Sequence, residues 1–172
     1  MSAQQALTEF EPDALAVALQ EFSAHSFHAR QIYQWIYKRG VTDFSQMTDL
    51  SQNLRTQLAA QFTIPTPTVS HRSTSSDGTV KFLMNFGDDQ QVETVFIPDT
   101  PAMTFCVSTQ VGCAMQCTFC LTGKMGLLRN LTAGEIVGQV RVMAHDLKLV
   151  DRRFNIVLMG MGEPLHNYDE TM

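Results

Sequence analysis

The sequence predicts an α/β fold: an N-terminal helical accessory domain, a short β-hairpin segment, then the first βα units of a parallel-sheet domain. Three observations predict it. Apolar residues in the first third recur at helical spacing, and from Thr68 onward they alternate or cluster in runs of strand length. A run at residues 104–108 is then followed by a capped helix and a second such run at 154–159. Domains are accordingly expected at residues 1–65, 66–100 and 101–172.

Within residues 11–22, Leu15, Val17, Ala18, Leu19 and Phe22 fall near one face, and Pro12 suits a first helical turn. A second helix is predicted over 28–38, with Ile32, Trp35 and Ile36 inward and Gly40 as its stop. A third follows Ser51, an N-cap candidate, to Gln61. Pro65 and Pro67 end the helical portion. On pattern alone it is an accessory module, with Trp35 in its core rather than serving as a base-stacking platform.

Residues 79–86 and 91–98 read as strands around Gly87-Asp88-Asp89, a hairpin-turn sequence, and 73–78 reads as a polar turn. Residues 104–108 form a short buried strand leading into a cysteine loop. Thr132 and Glu135 stand at capping-box spacing, and Ile136, Val137, Val140, Met143 and Leu147 follow at helical spacing. The run at 154–159, apolar except for Asn155, ends in Gly160-Met161-Gly162-Glu163-Pro164. Strand, loop, helix and strand make a βαβ unit, so a parallel sheet is being built. Because Met172 comes so soon after the second parallel strand, only the first part of an α/β fold is expected here.

Of the 172 residues 44% are hydrophobic and 17% charged, as in soluble globular proteins. No apolar run reaches the roughly 20 residues of a membrane span. Residues 1–8 lack the basic and apolar regions of a secretory signal. A cytoplasmic setting is therefore expected, where clustered cysteines read as metal ligands rather than disulfides. The net charge is −5. Residues 1–65 carry four Lys/Arg against six Asp/Glu, and the remainder eight against eleven. Neither half shows the basic excess typical of a domain gripping phosphate backbones. The pairs Lys38–Arg39 and Arg152–Arg153 read as solvated surface.

The chemistry is concentrated in Cys113, Cys117 and Cys120, a C-x3-C-x2-C triplet; the fourth and last cysteine is Cys106. Three thiolates this close can hold three irons of a [4Fe–4S] cluster and leave the fourth iron open to a chelating cofactor. A structural zinc, with Cys106 or His166 as fourth ligand, and a redox thiol pair are the competing readings. Zinc sites more often pair two separated C-x2-C arms, so the spacing favours the cluster. The histidines at 25, 28, 71, 145 and 166 are scattered and form no ligand spacing. The 160–164 segment lies at the carboxyl end of a predicted strand, where α/β sheets bind ligands. Its glycines would let a ligand approach the backbone, and Glu163 could pair with an ammonium group. Met115 and Met161 are expected to pack near such a cofactor. Taken alone, Cys106 reads as a small buried hydrophobe and Glu93 as a solvent-facing strand residue.

The C-x3-C-x2-C loop after a first strand, with Phe119 just before the last cysteine, resembles the signature of radical S-adenosylmethionine (SAM) enzymes. Further motifs narrow the match: Cys106 seven residues before Cys113, Gln110-Val111-Gly112-Cys113, Gly123-Lys124-Met125-Gly126 and the Gly160–Pro164 segment. Together with Arg30-Gln31-Ile32-Tyr33-Gln34-Trp35-Ile36 they resemble the RlmN/Cfr family, and its RlmN branch most. That resemblance implies a partial (β/α)6 barrel, here incomplete. It implies methylation of carbon 2 of adenosine in 23S rRNA and tRNA, with a [4Fe–4S] cluster and SAM as cofactors. Cys113, Cys117 and Cys120 would hold the cluster. Phe119, Gly162 and Glu163 would contact SAM, and Glu93 would serve in proton transfer. A 5′-deoxyadenosyl radical would activate a methyl group carried by a carboxyl-terminal cysteine, and Cys106 would resolve the protein–RNA crosslink through a disulfide. No cysteine follows Cys120, so the methyl carrier has no counterpart in these 172 residues. The implied partners are the two RNAs and a low-potential, flavodoxin-like electron donor. No membrane partner and a monomeric state are expected. The reading from a different class is a non-enzymatic RNA- or protein-binding module with a structural zinc knuckle.

Overall fold

The computed structural model describes residues 4–22, 24–100 and 102–172, with the side chains of Asp99 and Thr100 left aside. The chain forms two compact units, Met1–Pro65 and Thr66–Met172.

The first unit is helical. A parallel pair of two-residue strands, β1 (Gln5–Ala6) and β2 (Phe62–Thr63), ties its ends together. Helix α1 (Pro12–Ala18) opens with proline at its first position and passes into a 3-10 turn at Leu19–Phe22. Helix α2 (Ser26–Tyr33) starts two residues earlier than its apolar spacing predicts. The reason is a cap between histidines: the His25 N–H donates to His28 Nδ1 at 2.9 Å. It continues as a π-helical turn at Gln34–Lys38 and stops at Gly40, whose φ of +68° suits only glycine well. Helix α3 (Gln52–Gln61) is capped by Ser51, whose Oγ accepts from the Leu54 N–H at 3.2 Å. Leu15, Leu19, Ile32, Ile36, Met47 and Leu58 form its buried core. Trp35 packs at the edge of that core, with Nε1–H on Asp49 at 2.5 Å and Arg39 over its ring. Val17, expected inward, is exposed on this two-turn helix, while Leu15 and Leu19 are buried.

The second unit is mixed α/β. Its sheet runs β3 (Thr68–Thr74), β4 (Val80–Asn85), β5 (Gln91–Thr100), β6 (Ala102–Cys106) and β9 (Asn155–Val157), in that spatial order. The first three interfaces are antiparallel, and β6 pairs with β9 in parallel. The expected hairpin forms around Gly87 and Asp89, both at positive φ. Residues 66–100, expected as a linking segment, supply three of the five strands of the same sheet as the βαβ unit. Strand β3 is exposed along its whole length and has no apolar alternation, which is why the sequence pattern gave no sign of it. A second hairpin, β7 (Gln110–Cys113) with β8 (Gly126–Asn130), encloses the short helix α4 (Leu121–Met125). Helix α5 (Ala133–Asp146) bridges β6 to β9 and carries the expected capping box: Thr132 Oγ1 accepts from the Glu135 N–H at 3.2 Å, and the Thr132 N–H donates to Glu135 Oε2 at 3.0 Å. A 3-10 turn at Pro164–Asn167 and helix α6 (Tyr168–Thr171) close the described chain.

One face of the sheet is apolar and buried. Val80, Phe82, Met84, Val92, Phe96 and Phe105 pack there with Ile136 and Met143 of α5. Strand alternation sends Glu93, Val95 and Cys106 to the opposite face, with Val95 paired directly to Cys106.

Candidate active site

Three pieces of chain come together where β6 ends: residues 107–110, the β7–β8 hairpin with the cysteine loop, and the 160–164 turn. The Met161 carbonyl accepts from the Thr109 and Gln110 N–H groups at 2.9 and 3.2 Å. The Glu163 N–H donates to Gln110 Oε1 at 2.8 Å, while Gln110 Nε2 donates to Asn130 Oδ1 at 2.8 Å. The turn and the base of the cysteine hairpin are thereby bonded through one residue.

The glycines make this approach possible. A Cβ on Gly160 would lie 2.6 Å from Ser108 Oγ and 2.7 Å from the Val107 carbonyl oxygen. One on Gly162, at φ +108°, would lie 2.7 Å from Thr109 Oγ1 and 2.8 Å from the Gln110 nitrogen. The Cβ side of both is filled by side-chain and backbone atoms of residues 107–110. Gly112 is tighter still, its would-be Cβ falling 1.9 Å from the Gly126 carbonyl oxygen across the hairpin.

Under this surface lies a polar junction that pattern reading missed. Ser108 and Gln139 are fully buried. Gln139 Oε1 accepts from the Ser108 N–H and from Thr94 Oγ1, both at 2.9 Å, and its Nε2 donates to the Ser108 carbonyl at 2.8 Å. Ser108 Oγ donates to the Glu93 carbonyl at 2.6 Å and accepts from the Met161 N–H at 2.8 Å. One serine therefore joins β5, the end of β6 and the 160–164 turn. The only sequence signal was a polar run, Ser108-Thr109-Gln110, where a buried strand was expected to end.

Cys113 is buried at the end of β7, Cys117 is exposed in the loop, and Cys120 is half-buried at the N-cap of α4. The Cys120 N–H donates to the Cys117 carbonyl at 3.0 Å, and a Cβ on Gly123 would lie 3.1 Å from the Cys117 nitrogen, so the loop closes tightly. The Gly123 N–H holds the Cys120 thiol below the usual cysteine range, against a smaller effect of burial and with help from Thr122. An open cleft of about 590 Å³ lies beside Cys117, with Thr118, Gly123 and Lys124 in its wall. All four cysteines are free, so no disulfide forms among the described residues.

Among the described residues no three His, Cys, Asp or Glu side chains gather closely enough to hold a metal ion, His166 included. The fit to a cluster therefore rests on the donor set. Three thiols share one short loop pinned at both ends, and at least one of them is disposed to ionise.

The remaining candidates divide. Cys106 is half-buried, and burial pushes its thiol up, partly offset by the Met159 N–H. Glu93 is exposed and ion-paired to Lys81 Nζ at 2.8 Å. Glu163 is half-buried, with Oε1 accepting from the Leu165 N–H at 3.0 Å. Met161 packs on the core, Met115 is exposed and Phe119 stands 91% exposed.

A family model described as the ribosomal RNA large subunit methyltransferase N-terminal domain matches residues 5–64. The crystal structure of a radical SAM methyltransferase from Sphaerobacter thermophilus is similar over 98% of the chain, with 42% identity and a TM-score of 0.87. The match covers 50% of that protein, so the chain spans about half its length. With the cysteine loop and the 160–164 turn bonded side by side, these likenesses make one statement: the chain belongs to the RlmN/Cfr family of radical SAM methyltransferases.

Proposed function

We propose that this chain is the cluster-binding half of an enzyme that methylates carbon 2 of adenosine in 23S rRNA and tRNA. One observation carries the reading. The cysteine hairpin and the glycine-rich turn, some 40 residues apart in sequence, are bonded to each other through Thr109 and Gln110 at the end of one strand. A cofactor that needs thiolates at one end and a carboxylate at the other meets both there.

In this reading Cys113, Cys117 and Cys120 hold a [4Fe–4S] cluster, and SAM sits beside the 160–164 turn. When bound, the pair supplies the one-electron chemistry that carbon 2 of adenine, which is not nucleophilic, requires. Glu163 is oriented by the bonds from its own N–H to Gln110 and from the Leu165 N–H to its carboxylate, and it takes the ammonium group of SAM. Phe119, largely exposed in the loop, lies against SAM in the loaded site. Gly162 contributes closeness of the turn to the strand rather than a contact of its own. Cys106 and Glu93 share the sheet face opposite the core on the adjacent strands β6 and β5, Glu93 two residues along from Cys106's partner Val95, so a thiol and a carboxylate are offered on one surface. Burial favours the neutral thiol of Cys106, which would resolve the adduct, and Glu93 would remove a proton from the adenine ring. The remaining strands of a partial barrel, the methyl-carrying cysteine and a flavodoxin-like reductant's docking site belong to the rest of the protein, a cytoplasmic monomer.

Anaerobic reconstitution with iron and sulfide tests this, with electron paramagnetic resonance recorded before and after SAM. A [4Fe–4S] signal that SAM perturbs is expected, and Cys117→Ala should abolish it. Stoichiometric zinc without sulfide would replace the enzyme reading with the zinc-knuckle module. In the complete protein, Cys106→Ala should accumulate a protein–RNA crosslink, and Glu93→Gln should slow proton removal.

A further inference from the structure

The helical unit carries an exposed phenylalanine that its core does not use, beside the two histidines that cap α2. His25, Phe27 and His28 lie with centroids 5.5 Å (His25–Phe27), 4.2 Å (Phe27–His28) and 5.9 Å (His25–His28) apart, their planes within 13–31° of one another. Phe27 is 55% exposed and is not among the side chains packed on the unit's core. Next to it is a cleft of about 450 Å³ whose lining includes Asp13, Phe27, Arg30 and Tyr33. Arg30 and Asp13 are exposed, and neither forms an ion pair among the described residues. An exposed aromatic group beside a cleft that presents a guanidinium and a carboxylate, with the Ser26 and Tyr33 hydroxyls also in its lining, matches the needs of an unstacked base, which offers a π-face and a hydrogen-bonding edge.

We propose that this cleft takes a single-stranded RNA base, stacked on Phe27 with its edge toward Arg30 and Asp13. The inference rests on the RNA-modifying reading above and adds the place and the mode of binding. Residues 1–65 carry more acidic than basic side chains, so phosphate attraction contributes little and stacking carries the affinity. A shallow dependence on salt follows from that, and duplex RNA, whose bases are already stacked, is excluded from the cleft.

The test uses the whole chain and a short single-stranded RNA containing 2-aminopurine, read by anisotropy and by quenching of the probe. Wild type should quench the probe, with a shallow salt slope. Phe27→Ala should weaken binding about tenfold, the scale of one base–aromatic stack, and lose the quenching. Phe27→Tyr should restore both. Equal binding by Phe27→Ala, a preference for duplex, or capture of a peptide instead of RNA would each overturn the proposal. Iron and sulfide incorporation by the same variants separates the two readings. A chain that stacks RNA but never builds a cluster overturns the methyltransferase reading alone, and a chain that builds the cluster but ignores Phe27 overturns this one alone.

Discussion

Replacing Gln139 with leucine keeps the volume of the side chain and removes its amide. Three buried groups then lose a partner at once: the Ser108 N–H, the Ser108 carbonyl and the Thr94 hydroxyl, now bonded at 2.9, 2.8 and 2.9 Å. A stranded buried polar group costs about 1–3 kcal/mol, and neighbouring losses relax together, so a total of about 3–5 kcal/mol is expected. That is a large share of the roughly 5–15 kcal/mol that holds a domain folded. At about 4 °C per kcal/mol for a domain near this size, Tm should fall by roughly 12–20 °C. Thermal and urea unfolding, followed by circular dichroism, would measure it. Thr94→Val supplies the control. Alone it removes one bond and should cost about 1 kcal/mol, but in the Gln139→Leu background the hydroxyl is already stranded and its removal should cost nothing. A Gln139→Leu protein melting within a few degrees of wild type would refute this account, as would strictly additive losses in the double variant.

Gly112→Ala should prevent the β7–β8 hairpin from closing and abolish iron binding, because its Cβ would sit 1.9 Å from the Gly126 carbonyl oxygen; metal analysis after reconstitution reads this. Arg129 holds Asp88 at 2.7 Å and clasps both oxygens of Glu135 at 2.7 and 2.9 Å, so Arg129→Leu should detach the hairpin from the start of α5, costing about 2–3 kcal/mol in unfolding experiments. In the metal-free chain, iodoacetamide should alkylate exposed Cys117 well before half-buried Cys106, whose thiol burial pushes up; peptide mass mapping showing uniform labelling would contradict that order. Tyr33, whose hydroxyl donates to the Phe10 carbonyl, is pushed up to about 12 by burial first and by Tyr37 and Glu11 next. Its neutral form is favoured by folding, so that contribution is intact below the ordinary tyrosine range near 10 and is lost as pH rises through about 12. Absorbance titration should show a step there that Tyr33→Phe removes.

Much of this was legible where one residue type has one physical use. Ser51 and the Thr132–Glu135 pair announced their helix starts, Gly40 a helix end, and Gly87-Asp88-Asp89 a hairpin, because caps and positive-φ turns depend on neighbours in sequence. Strands β3 and β8 were hidden because neither alternates: β3 is an exposed edge, and β8 is stabilised by pairing to β7 rather than by a buried face. The 160–164 turn was placed correctly at a strand end, but nothing in the sequence signalled that its glycines are packed against residues 107–110. What they touch depends on the path of residues 107–110, which no local pattern encodes. His25 and His28 looked scattered on paper, yet one helix cap brings them to the same side as Phe27.

The polar junction explains why the cysteine loop and the 160–164 turn can sit where they do. Ladder pairing in β6 ends near Val107 and the next ladder begins at Gln110, yet Ser108 and Thr109 between them stay buried, and their backbone groups need partners that a neighbouring strand would ordinarily give. Side-chain amides and a turn supply them instead. Gln139 serves the Ser108 N–H and carbonyl, Asn167 Nδ2 donates to the Thr109 carbonyl at 2.9 Å, and the Met161 carbonyl takes the N–H groups of Thr109 and Gln110. Gln139 and Asn167 thus act as a surrogate strand edge. A real strand there would fill the place where the hairpin leaves the sheet and the 160–164 turn closes on it. Three partners drawn from α5, the turn and the 3-10 segment satisfy the same backbone while leaving that exit free. The buried amides are the structural condition for holding a cysteine loop and a carboxylate turn against one strand end, and they lie in helices whose apolar pattern gives no hint of them.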